Sequence, residues 1–182
     1  FCCAAAEQAV ARADLEGALA LVERATQCFE RAGDHVSDAR VRLHLAAAHA
    51  HNAMGANHEG GREASIVVAR ARPASLLWWR GAGELVESLG RIGDGDGLLA
   101  IVERMGEPAE PAAELASVIA ICRACIALHF QGRPAAVAAL RERLRAASAR
   151  VGEEPLAVAW RAALEAYQAH LDGRPSDYLA QT

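Results

Sequence analysis

The chain has 182 residues, of which 53% are hydrophobic and 23% charged, and its net charge is −4. This length and composition predict a globular domain with a hydrophobic core and exclude a disordered segment. All 19 basic residues are Arg, and the acidic balance lacks the basic surface that nucleic-acid binding usually requires. No stretch reaches the ~18 uninterrupted apolar residues of a membrane span. We therefore expect neither nucleic acid nor a membrane as a partner.

Apolar residues recur at helical spacing along nearly the whole chain, and no run alternates with the period of two that is typical of strands. Asp14 is the expected N-cap of the second helix, and Ser37 or Asp34 that of the third. The glycine-rich stretches 56–61 and 90–97 are predicted to be loops, and Pro108 and Pro111 to bracket a linker. The predicted helices cover residues 3–12, 15–31, 36–54, 62–72, 75–89, 98–105, 112–130, 135–151 and 155–171.

One helix-stop, helix-start signal occurs twice. The run 129–134 (His-Phe-Gln-Gly-Arg-Pro) returns as 170–175 (His-Leu-Asp-Gly-Arg-Pro). Gly suits the left-handed position that ends a helix, and Pro suits the first helical position of the next. Together with turns near residues 13, 55 and 93, these signals give a period of about forty residues with two helices each. Such a period predicts an all-α solenoid of four to five stacked antiparallel hairpins.

We expect residues 1–182 to form a single helical-repeat domain. The chain begins with Phe1, and residues 174–182 read as the start of another helix. Both features favour a fragment of a longer protein.

The pattern resembles the divergent tetratricopeptide repeats of large bacterial regulators. The second helix of that repeat carries Ala-x-x-x-Phe-x-x-Ala. Related patterns, with Val in the aromatic place, are Ala18-x-x-x-Val22-x-x-Ala25, Ala64-x-x-x-Val68-x-x-Ala71 and, more weakly, Leu98-x-x-x-Val102-x-x-Met105. Trp160 and Tyr167 have the seven-residue spacing of the aromatic pair in the first helix. The segments 28–34 and 39–43 are similar to helical-repeat regions attached to bacterial kinase or ATPase regulators.

The resemblance implies a right-handed, tetratricopeptide-like solenoid that acts as a non-catalytic, cytoplasmic scaffold without a cofactor. It would mediate protein–protein or interdomain contacts in a bacterial signalling or transcriptional regulator. Its partner would bind the concave groove lined by the first helix of each hairpin. Trp78, Trp79 and Arg123 are the candidate groove residues. Because neighbouring side chains on a helix point about 100° apart, we expect one tryptophan in the core and the other exposed or lining the groove.

The alternative function is a metal- or redox-binding helical domain. Cys122, Cys125 and His129 are spaced to share one helix face. A structural zinc site normally needs four ligands, and a redox Cys-x-x-Cys normally lies at a helix start beside a strand. Buried Cys residues that pack as small hydrophobes are therefore the favoured interpretation of this motif. A third possibility is a segment that packs only against other domains of its parent chain.

Three further polar groups have simpler structural interpretations. The histidines His44, His49, His51 and His58 are expected to face solvent or cap helices. Asp94 in the Gly-Asp-Gly-Asp run is expected to be an N-cap, because no carboxylate completes a calcium loop. The basic residues Arg141, Arg143, Arg145 and Arg150 are expected to form a solvated helix face.

Overall fold

A computed structural model describes residues 2–33, 37–171 and 173, and these residues contain helices and turns but no strand. The all-α prediction is confirmed. A short 3-10 helix, Pro111–Ala113, precedes the seventh α-helix. The α-helices are α1 (Cys2–Ala11), α2 (Leu15–Arg31), α3 (Asp38–Ala53), α4 (Asn57–Arg70), α5 (Leu76–Ile92), α6 (Gly95–Arg104), α7 (Glu114–Phe130), α8 (Pro134–Val151) and α9 (Pro155–Leu171).

The predicted caps lie where the sequence places them. The side chains of Asp14, Ser37 and Asp94 accept hydrogen bonds from the third backbone N–H that follows each of them, at 3.0, 3.4 and 2.9 Å. Asp34, the other candidate cap, lies outside the described residues. The five predicted turns all contain a residue with positive φ: Ala13, Gly55, Gly93, Gly132 and Gly173.

Two predicted loops, 56–61 and 90–97, are too long, because only short turns separate the helices on either side. Helix α4 already begins at Asn57, and helix α5 continues through Gly90 to Ile92. A Cβ atom at Gly60 would lie 2.1 Å from Oδ1 of Asn52, and one at Gly90 would lie 2.8 Å from Cβ of Ala127. These glycines therefore allow neighbouring helices to approach closely. The stabilisation from this packing outweighs the cost of Gly in a helix interior, which is about 1 kcal/mol relative to Ala.

The odd-numbered helices form one contiguous layer. Helix α3 contacts α1 and α5, and helix α7 contacts α5 and α9. Helices α2, α4 and α6 each pack against the odd-numbered helices before and after them, and α8 packs against α7. The main hydrophobic core extends from α3 to α9, and a smaller cluster joins α1, α2 and α3.

Helix α7 lies at the centre of this core. With the 3-10 turn before it, Pro111–Phe130 is the one stretch in the described residues that is long and apolar enough to cross a membrane by length and composition. Yet 56% of its most apolar window is buried inside the protein, as in the core helix of a helical domain. Its apolar character is thus accounted for by packing.

Candidate functional site

A groove of about 500 Å³ runs across the layer of odd-numbered helices. Every helix that lines it is odd-numbered, and Ala112 of the 3-10 helix adds to its wall. The lining residues recur at helical spacing, so each helix presents a single face to the groove. They are Glu7 and Val10; Arg42, Leu45, Ala46 and His49; Leu76, Trp79, Arg80, Gly83 and Glu84; Leu115, Ala116, Ile119, Ala120 and Arg123; and Leu156 and Trp160.

The part of the groove near the start of α5, α7 and α9 is apolar. Leu76, Leu115 and Ile119 are half-buried, and Leu156 is 47% exposed. Trp160, one turn after Leu156, is also half-buried. A concave surface with accessible leucine, isoleucine and tryptophan side chains is typical of a site that buries an apolar partner.

The other part contains a buried carboxylate, Glu84. Its Oε1 accepts hydrogen bonds from Nη1 of Arg123 at 2.9 Å and pairs with Nδ1 of His49 at 3.1 Å. Its Oε2 accepts a hydrogen bond from Nδ2 of Asn52 at 3.0 Å. The Ser88 hydroxyl in turn donates to Oδ1 of Asn52 at 2.8 Å. This network connects α3, α5 and α7. Its members are largely buried except His49, whose side chain is 42% exposed.

The network determines the charge of these groups. Burial pushes the pKa of Glu84 upward, but the hydrogen bond from His49, the charge of Arg123 and the bonds from Asn52 and Arg123 outweigh burial and keep the pKa at about 2. The hydrogen bond to Glu84 raises the pKa of His49, against the opposing effect of burial. Glu84 is therefore ionised, and its charge is balanced inside the fold.

Arg123 also joins the network to the last helix. Its guanidinium lies 5.1 Å from the centre of the Trp160 ring, within the range of a cation–π contact. Nη1 is 3.4 Å from Oε2 of Glu87, whereas Nε has no hydrogen-bond partner in the part of the chain that the structure describes. Arg123 thus fixes the groove wall between α5, α7 and α9.

Two of the three candidate groove residues line the groove. Trp79 and Arg123 belong to its wall, whereas Trp78 does not. Both tryptophans are buried, at 1% exposure for Trp78 and 0% for Trp79, so neither is an exposed anchor. The rings meet edge to face at 5.1 Å, and the Arg104 guanidinium lies 5.8 Å from the Trp78 ring centre. Helix α5 contacts α3, α4, α6 and α7, and both rings belong to the main hydrophobic core that these helices form.

The residues of the alternative site lie in helix α7. Cys122 and Cys125 are fully buried, and burial raises the pKa of each thiol to about 12. His129 lies in the last turn of the helix. Among the described residues, no group of three or more His, Cys, Asp or Glu side chains is placed to bind a metal ion. Both thiols are thus in the environment opposite to that of a reactive thiolate.

Sequence reasoning missed His49 and Glu84. The sequence predicts that His49 faces solvent or caps a helix, whereas in the structure it pairs with Glu84. The available signal was the register of α5, since Glu84 lies on the same helix face as Leu76 and Trp79, where a carboxylate needs partners. His44 similarly pairs with Glu63, at 2.6 Å.

The basic residues of α8 make contacts within the fold. Arg143 donates to the backbone carbonyl of Met105 at 2.7 Å, and Arg150 lies 3.7 Å from Glu114. Arg141 contacts Gln168, and Arg145 pairs with Glu142. This patch therefore has intramolecular partners, and the groove is the better candidate site.

Comparison with protein-family models, with curated proteins and with solved structures found no match for this chain.

Proposed function

We propose that the chain is a non-catalytic helical-repeat scaffold that binds a protein segment in the groove. The observation that carries the proposal is the lining of the groove, which comes from the odd-numbered helices and the turn before α7, and from no even-numbered helix. This is the arrangement expected of the concave face of a right-handed, tetratricopeptide-like solenoid. The segment belongs either to another protein or to another domain of the parent chain.

The composition of the groove supports recognition. An apolar surface formed by Leu76, Leu115, Ile119 and Leu156 can bury the side chains of a partner, and the charged residues around it can select among partners. The buried network around Glu84 keeps the helices in register. The groove therefore needs little rearrangement to bind, which lowers the entropic cost of association.

The titratable groups of the groove support recognition over acid–base catalysis. A general acid or base works best with a pKa near the working pH. Glu84 has a pKa of about 2 and contacts three side chains, one of which is His49. These two groups are engaged with each other and with the fold.

The proposed cellular location and the proposed parent protein both rest on the resemblance to tetratricopeptide repeats. On that basis we place the chain in the cytoplasm, within a bacterial signalling or transcriptional regulator.

The experiment selects random dodecapeptides displayed on phage for binding to the chain. The selected peptides are then synthesised, and their affinity for the chain is measured by calorimetric titration. Ala116 lies half-buried in the groove, whereas Ala139 is exposed on α8. We expect selected peptides to bind the wild type and the Ala139→Trp variant equally, and to lose binding to Ala116→Trp because the indole fills the groove. Circular dichroism is the check that both variants fold. Equal binding to both variants would locate the site elsewhere and refute the proposal.

A further inference from the structure

We propose that the groove selects a partner segment in which an acidic side chain, Asp or Glu, lies among apolar ones, with the carboxylate facing Arg80. This inference rests on the proposed function and specifies the chemistry of the partner.

The first argument is the distribution of ion pairs among the three arginines that line the groove. Nε of Arg42 donates to Glu7 at 2.7 Å, and Arg123 pairs with Glu84 and Glu87 at 2.9 and 3.4 Å. Arg80 is exposed and has no carboxylate partner among the described residues. Its neighbours on the groove face of α5 are Trp79, Gly83 and Glu84, so it stands beside the apolar surface with an uncompensated charge.

The second argument is the charge balance of the lining. Three arginines and two glutamates give the groove a net charge of +1 with His49 neutral, although the whole chain carries −4. Both glutamates already have partners in the fold. A partner with a negative charge would therefore meet attraction at the groove and repulsion from the rest of the surface, which orients its approach.

The third argument is the chemistry of the exposed guanidinium. Arg80 lines the groove, is accessible to solvent, and carries N–H donors but no acceptor. Carboxylate oxygens are acceptors only, and an arginine can bind both oxygens at once. A lysine-bearing segment would instead bring further donors and a like charge to Arg80.

The test compares Arg80→Glu with Arg24→Glu on the full chain. Arg24 is an exposed arginine on α2, away from the groove, so the two variants change net charge equally. We expect the dodecapeptides selected by the wild type to share an acidic residue among apolar ones. Their affinity should fall about tenfold for Arg80→Glu and stay unchanged for Arg24→Glu. Replacing the acidic peptide residue by Lys should restore binding to Arg80→Glu.

Several outcomes would overturn the inference. If the selected peptides lack an acidic residue and bind Arg80→Glu as tightly as the wild type, the groove binds apolar segments but does not select their charge. Failure of the proposed function is distinguishable, because binding would then also survive Ala116→Trp. Self-association of the chain through the groove, detected as a dimer that Arg80→Glu dissociates, would replace the foreign partner by a second copy.

Discussion

Replacing Glu84 by Gln tests whether the buried network holds the groove together. The folded-state pKa of about 2 lies below the ordinary value of 4.5. At about 1.4 kcal/mol per pH unit, this difference corresponds to a contribution on the order of 3 kcal/mol to the free energy of unfolding. Because the folded pKa is lowered, the contribution is present above pH 4.5 and is lost as the pH falls toward 2.

The raised pKa of His49 adds a second pH dependence to the stability difference between wild type and Glu84→Gln. Stability from a raised pKa is fully present below the ordinary value of 6.5 and is lost as the pH rises through the higher folded value. Glu84→Gln removes the main cause of that shift. We therefore expect the stability difference between wild type and variant to be largest between about pH 4.5 and 6.5, to shrink above that window, and to vanish toward pH 2.

Urea unfolding followed by circular dichroism at several pH values measures this difference. Glu142→Gln is the control, because Glu142 is exposed and its one ion pair among the described residues is with Arg145 on the same helix. We expect no measurable change in that variant. A gap between wild type and Glu84→Gln that stays constant from pH 2 to 6 would refute the reasoning, since the ionised carboxylate would then contribute nothing specific.

Three further predictions concern glycine packing, a helix cap and thiol accessibility, and they are measured by thermal or urea unfolding or by thiol titration. Gly81→Ala should lower the free energy of unfolding by about 1–3 kcal/mol, because the new Cβ would lie 2.4 Å from a Val67 methyl. Gly83→Ala should raise it by about 0.5–1 kcal/mol, because its Cβ would meet neighbours only at 3.6 Å or more. The opposite order of stabilities would contradict the account. Asp94→Ala should cost about 1 kcal/mol by removing the α6 cap, and an unchanged midpoint would show that the cap is dispensable. Exposed Cys28 should react with a thiol reagent in the native protein, and buried Cys122 only after unfolding; rapid native reaction of both would argue for an accessible thiol site.

The helices and turns were predictable because their signals are local. Side chains such as Asp14 and Asp94 cap the next helix through neighbours three residues away, and Gly132 ends α7 by its own backbone conformation. The prediction of Gly60 and Gly90 as loop residues is wrong, because their role depends on contacts with Asn52 and Ala127, which belong to other helices. The low helix propensity of Gly predicts a helix break at these positions, whereas tertiary packing requires a small residue within a continuous helix.

The site was predictable only in part, for the same reason. The sequence pointed to Arg123 and Trp79, both of which line the groove. It did not indicate that both tryptophans would be enclosed, or that Glu84 would meet His49, which lies 35 residues earlier in the chain. Pairing of polar groups across helices depends on the relative rotation of those helices. No single helical stripe contains that information.

The indole resonance of Trp160 provides the most direct test of the central claim, which is that the groove of the odd-numbered helices binds a protein segment. A ¹H–¹⁵N spectrum contains a separate indole signal for each tryptophan, and a Trp160→Phe variant identifies the one in the groove. On titration with a selected peptide, the Trp160 signal should shift and saturate with the measured affinity, while the signal of core-buried Trp78 stays in place. A bound peptide that leaves Trp160 unmoved and shifts resonances of α8 would contradict the claim.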